Sequence, residues 1–196
     1  MIHPAKILIT AALLLALTSG CTPQNEEQPG FSGASFQMVN QQGENIQFPD
    51  DFAGSPVLIG FIYTHCPDIC SIITARLHQV WDEMDRSDEV QFVIATFDPE
   101  RDTPDVLLDY ARNFGMDNPP FTFLTGEPTE VERLMEMAGV RSEISERRET
   151  ESGDPFYLID HTDNIMLLDE DGRLVMDYGG SMTPTHILVE DLEEIL

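Results

Sequence analysis

The sequence predicts an α/β sandwich, a central mixed sheet flanked by helices and preceded by an N-terminal hairpin. Three observations predict it. Residues 56–63 and 90–97 are continuous apolar runs, as expected of strands buried on both faces. Segments with helical spacing of apolar residues follow each of them. Further on, short apolar runs separated by turn signals describe an antiparallel half joined to the parallel one. With 196 residues and 41% apolar content, the chain can bury a core in one domain and still carry a targeting segment.

Taken in order, residues 36–39 and 46–48 flank Gln42-Gly43 and predict the hairpin. The strand over 56–63 follows, rich in Val57, Leu58, Ile59, Phe61 and Ile62. A helix is predicted from near Pro67, with Ile73, Leu77, Val80, Trp81 and Met84 on its inner face. After the strand over 90–97, Thr103-Pro104-Asp105 opens a helix with a cap residue, a proline at the first helical position and an acid in the first turn. Gly115 closes it. A strand over 121–124 leads to a helix over 128–138, stopped by Gly139. Residues 140–154 are charged and poor in apolar side chains, and predict a loop. Strands are predicted over 156–159, 165–168 and 174–177, the last two joined by Asp171-Gly172, and Thr183-Pro184 caps a closing helix. This order is compatible with a thioredoxin-like fold, although periodicity alone does not separate that fold from other small α/β sandwiches.

The two ends of the domain are read from composition. Residues 1–20 carry the single Lys of the chain, Lys6, then a short apolar run, then Ser19-Gly20 ahead of Cys21. That is the layout of a lipoprotein export signal, which places a lipid on Cys21 and the domain on the extracytoplasmic face of a bacterial membrane. Residues 21–35, rich in Pro, Gly, Gln and Glu, read as a flexible tether, leaving 36–196 as the folded domain. A net charge of −26 repels nucleic acid and anionic headgroups and excludes a nucleic-acid partner. The same acidity reads either as attraction for cationic partners or as an adaptation to high salt, and the absence of Lys beyond position 6 favours a bias of the whole proteome.

With Cys21 assigned to lipid, Cys66 and Cys70 remain, too few for a disulfide framework. They stand in Thr64-His65-Cys66-Pro67-Asp68-Ile69-Cys70, at the carboxyl end of a buried strand and the start of a helix, where α/β sheets place their ligand sites. A four-residue step brings both sulfurs to one face, and the helix N-terminus is expected to lower thiol pKa. Two thiolates need a further ligand to hold a soft ion, and sulfur with imidazole suits copper or zinc. His65, His78, His161 and His186 are the histidines after the signal. His65 is expected to face away from Cys66, His78 and His186 to lie on the surface, and His161 ends an apolar strand; residue type alone leaves the choice open.

Three segments narrow it. YTHCPDIC (63–70), FDPERDTP (97–104) and YLIDHT (157–162) resemble, in order and spacing, the Sco/SenC family of copper chaperones, and the similarity covers the domain from about Phe36 to the C-terminus. The resemblance implies a thioredoxin-like fold, one copper per chain held by Cys66, Cys70 and His161, and a role in assembling the binuclear copper site of cytochrome c oxidase. It also implies an acidic residue near the site at Asp98, acting behind a ligand; the alternative is a turn-forming Asp before Pro99. Ser71 departs from the Pro that follows the second Cys in many members, and no Pro occurs between Asp160 and Gly172 to supply the cis-proline of thioredoxins. Two functions follow. One is a metallochaperone, which is not an enzyme; the other is a membrane-anchored thiol–disulfide oxidoreductase that reduces acceptor cysteines with the same pair.

Overall fold

The computed structural model describes residues 30–85, 87–149 and 155–196. Cys21, the export signal and most of the expected tether lie outside them. The hairpin forms as β1 (Phe36–Asn40) and β2 (Asn45–Phe48). Its turn is held by the Asn40 side chain, whose Oδ1 accepts from the backbone N–H of Gln42 at 3.0 Å and Glu44 at 2.9 Å. Gly43 supplies the positive φ of 81° that the turn requires.

The parallel core consists of β3 (Val57–Ile62), β4 (Gln91–Thr96) and β5 (Phe121–Gly126). Helices α1 (Ile69–Glu83) and α2 (Pro104–Phe114) make the crossovers between them. After α3 (Pro128–Met137) come β6 (Ser142–Glu149), β7 (Pro155–His161), β8 (Asn164–Leu168), β9 (Leu174–Gly179) and α4 (Thr185–Ile195). Among the described residues, one sheet runs in the order β2-β1-β5-β4-β3-β8-β9. β8 lies antiparallel on β3, so the two halves predicted from sequence meet along that strand. All six residues of β3 are buried, which explains its unbroken apolar run. Gly60 lets α1 approach β3 closely: a Cβ there would lie 2.8 Å from Ile73 Cγ2 and 3.2 Å from Leu77 Cδ1.

Two expectations are corrected. Residues 142–149, read as part of a loop, form β6, which pairs with β7 in a separate antiparallel ribbon. The described side chains of β6 are exposed while its partner β7 buries Tyr157 and Ile159, so β6 carries charge where a core strand would carry apolar side chains, and composition reads as loop. The tether boundary at residue 35 is also too late. Phe31, the single large apolar residue of that stretch, is fully buried, with its ring centroid 5.1 Å from Phe48 and 6.1 Å from Phe36. Its backbone N–H donates to Gly172 O at 2.9 Å. One aromatic side chain anchors a segment whose other residues favour flexibility.

Candidate metal centre

β3 ends at Ile62 and the chain turns through residues 63–68 into α1, with the Cys66 N–H donating to Tyr63 O at 3.2 Å. Asp68 is the residue before α1, so Cys70 lies in the first turn of that helix. Cys70 is buried and Cys66 half-buried, and both thiols are free. Against the expectation from the helix N-terminus, burial pushes the Cys70 thiol well above its ordinary pKa, with the Cys66 sulfur and the Asp102 carboxylate adding to the effect. Desolvation of the thiolate outweighs the partial positive charge of the helix end.

His161 is the last residue of β7. Its Nε2 lies 3.6 Å from Cys70 Sγ and 4.0 Å from Cys66 Sγ, and the three ligand atoms all fall within 4.8 Å of one another. A soft d¹⁰ ion about 2.3 Å from each sulfur and about 2.0 Å from the nitrogen, in a trigonal arrangement, needs separations of about 4 Å. The residues present fit such an ion. Nδ1 lies 2.8 Å from Thr162 O, and since a carbonyl can only accept, the ring proton sits on Nδ1 and Nε2 turns its lone pair toward the sulfurs. The Phe97 ring, 4.6 Å from the imidazole, and the Tyr63 ring, 5.8 Å away, wall the site.

The remaining histidines stay apart from this cluster. His65 points away, its side chain 53% exposed and its Nδ1 3.1 Å from Thr64 Oγ1. His186 is exposed. His78, expected on the surface, is half-buried: its ring stacks on Phe121 and its Nδ1 lies 3.2 Å from Asp82.

Asp98 does not reach a ligand. Its carboxylate accepts from Tyr157 Oη at 2.6 Å and from Arg101 Nε. Arg101 in turn donates from Nη1 to Tyr157 O at 2.9 Å, its guanidinium 3.5 Å from the centre of the Tyr157 ring. Tyr63 Oη accepts from the Ile159 N–H at 3.2 Å. These contacts clamp β7 to the sheet, so Asp98 bears on the strand that carries His161 and not on its ring. Tyr63, Arg101 and Tyr157 lie inside the three sequence motifs, where residue type alone gives them no role. Nor does residue type single out Asp102, fully buried beneath the cysteine turn. Asp102 accepts from Thr64 N–H at 3.0 Å, Thr64 Oγ1 at 2.5 Å and Thr96 Oγ1 at 2.6 Å, while burial raises its pKa. An Asp four residues after Asp98, directly before a helix cap, reads as helix chemistry until the fold brings Thr64 to it.

The chain is similar to several known proteins. The family model described as SCO1/SenC matches residues 24–196. A SCO2-like protein of Rickettsia prowazekii is 30% identical over 182 residues, covering 88% of this chain and 85% of its own. The structure of Bradyrhizobium japonicum ScoI with copper bound is 31% identical, with a TM-score of 0.66 over 84% of this chain and 99% of that one. A further solved structure, that of BsSco, a member of the Sco family of cytochrome c oxidase assembly proteins in which a disulfide switch is identified, is 25% identical. Its TM-score is 0.66, over 85% of this chain and 94% of that one.

Proposed function

Because this chain belongs to the SCO1/SenC family, we propose that it is a copper metallochaperone, carrying one ion on Cys66, Cys70 and His161 to the binuclear copper site of cytochrome c oxidase. The observation that carries the reading is the convergence of two sulfurs and one imidazole nitrogen within 4.8 Å. Copper is the cargo. Soft thiolates with one imidazole suit Cu(I), and three ligands leave an open approach through which an acceptor's ligands replace them one at a time. Copper bound to the Bradyrhizobium relative and the assembly role stated for BsSco support it. The domain works on the extracytoplasmic face of a bacterial membrane, held by lipid on Cys21. No described helix is long and apolar enough to cross a membrane.

The test is competition with a Cu(I) chelator on wild type and His161→Ala. Affinity falls by at least about a hundredfold in the variant, more than the tenfold to hundredfold expected for loss of a residue that only supports a ligand. Both thiols still titrate. Unchanged affinity would refute the ligand set. Cys21→Ala moves the protein from the membrane fraction to the soluble one; retention on membranes would remove the anchor.

The half-exposed Cys66 beside the buried Cys70 favours a second reading, thiol–disulfide exchange with an acceptor's cysteines through attack by Cys66. His161→Ala separates the two, since exchange does not need the imidazole.

A further inference from the structure

Between α3 and the β6–β7 ribbon lies a groove of about 870 Å³, with His161 and Thr162 in its lining. Its apolar floor comes from Phe97, Val131, Met135, Val140 and Ile159, each only 3–8% exposed, and Ile144 adds a side chain that is 44% exposed. Glu100, Glu132, Glu136, Glu143 and Asp160 also line it, and all five are exposed. Among the described residues none of the five forms an ion pair, and Arg141 is the only cation of the lining apart from the protonatable His161.

A recessed apolar floor beside one exposed isoleucine gives an apolar side chain a place to insert, and association would take that surface out of water. Five unpaired carboxylates around it disfavour a neutral or acidic occupant, which would desolvate them uncompensated, and favour one that brings positive charge. The metal ligand in the groove wall sets what such an occupant would be near. We propose that this groove docks a segment of the copper acceptor in which apolar side chains are flanked by Lys or Arg, bringing the acceptor's own ligands beside His161. The inference rests on the metallochaperone reading and adds to it the chemistry of the recognised partner. Since the net charge of −26 makes the protein acidic as a whole, the groove is distinguished by charge and apolar surface together, and the experiment must separate them.

The probes are three synthetic peptides added to the copper-loaded domain: an apolar core with Lys/Arg flanks, the same core with Glu flanks, and the same basic flanks around a Ser-rich core. Binding is read by titration and by the methyl resonances of Met135 and Ile144. The basic–apolar peptide binds at least about tenfold tighter than either control and shifts both methyls. Charge reversal in the groove, Glu132→Lys with Glu136→Lys, weakens it by about tenfold, while the same reversal at the exposed Glu193 and Glu194 of α4 leaves it unchanged. Equal weakening by both reversals, equal binding of the Ser-rich peptide, or saturation without methyl shifts overturns the docking site. Copper stoichiometry is measured separately. A domain that does not load copper overturns the metallochaperone reading and the acceptor assignment with it, whereas loading without methyl shifts overturns the groove alone.

Discussion

The sulfurs and the imidazole of the metal centre stand on parts of the molecule held in place by different balances of forces. Cys66 and Cys70 follow β3, whose six residues are all buried, and α1 packs on that strand through Ile73 and Leu77, both fully buried. His161 ends β7, one strand of a two-stranded ribbon in which Ile144 and Phe156 remain exposed at 44% and 41%. The ribbon is tied down by the buried side chains of Tyr157 and Ile159 and by polar contacts: Tyr157 to Asp98, Arg101 to Tyr157 O, and the Ile159 N–H to Tyr63 Oη. Apolar burial fixes the thiols along with the global fold. The imidazole is fixed by these hydrogen bonds and by a narrower apolar face, since β7 buries Tyr157 and Ile159 where β3 buries all six of its residues.

Perturbing each side separately tests this contrast. Phe61→Ala, in the fully buried middle of β3, lowers stability by about 3–5 kcal/mol in urea unfolding. The fraction that stays folded keeps its Cu(I) affinity within about threefold; a large loss of affinity would mean that the two sides are not independent. The next effect is set by pH. Burial raises the Cys70 thiol far above neutral pH, so the apo site holds that proton throughout the neutral range and copper binding must expel it. Affinity therefore rises with pH, about tenfold per unit from this thiol alone, or about a hundredfold between pH 6 and 8 in chelator competition. A flat profile would show that Cys70 is not a thiolate ligand. Smallest is Tyr157→Phe, which removes one hydrogen bond of the ribbon clamp and leaves Asp98 paired with Arg101. Stability falls by about 1–2 kcal/mol and Cu(I) affinity by about tenfold. If stability fell and affinity did not, the clamp would serve folding alone.

The two sides also differed in how far they could be read in advance. β3 and β4 announce themselves as unbroken apolar runs, α2 by Thr103-Pro104 and Gly115, and the dithiol by its place at a strand end. The ribbon gives little signal. Most of β6 is polar or charged, its described side chains are all exposed, and exposed side chains give no apolar alternation to detect. Phe31 was hidden for the opposite reason: a single aromatic among flexible residues carries no periodicity at all.

Local chemistry in the chain determined the buried strands, the helix boundaries set by proline and glycine, the sulfur pair and the overall acidity. These depend on near neighbours and on composition. Which histidine meets the sulfurs had only resemblance behind it, because Cys70 and His161 are 91 positions apart. Only tertiary structure closes that distance, by laying β8 along β3 and folding the ribbon back over Tyr63 and Arg101. The pKa of Cys70 was likewise decided there, since it follows from what surrounds the sulfur and not from its place in the helix.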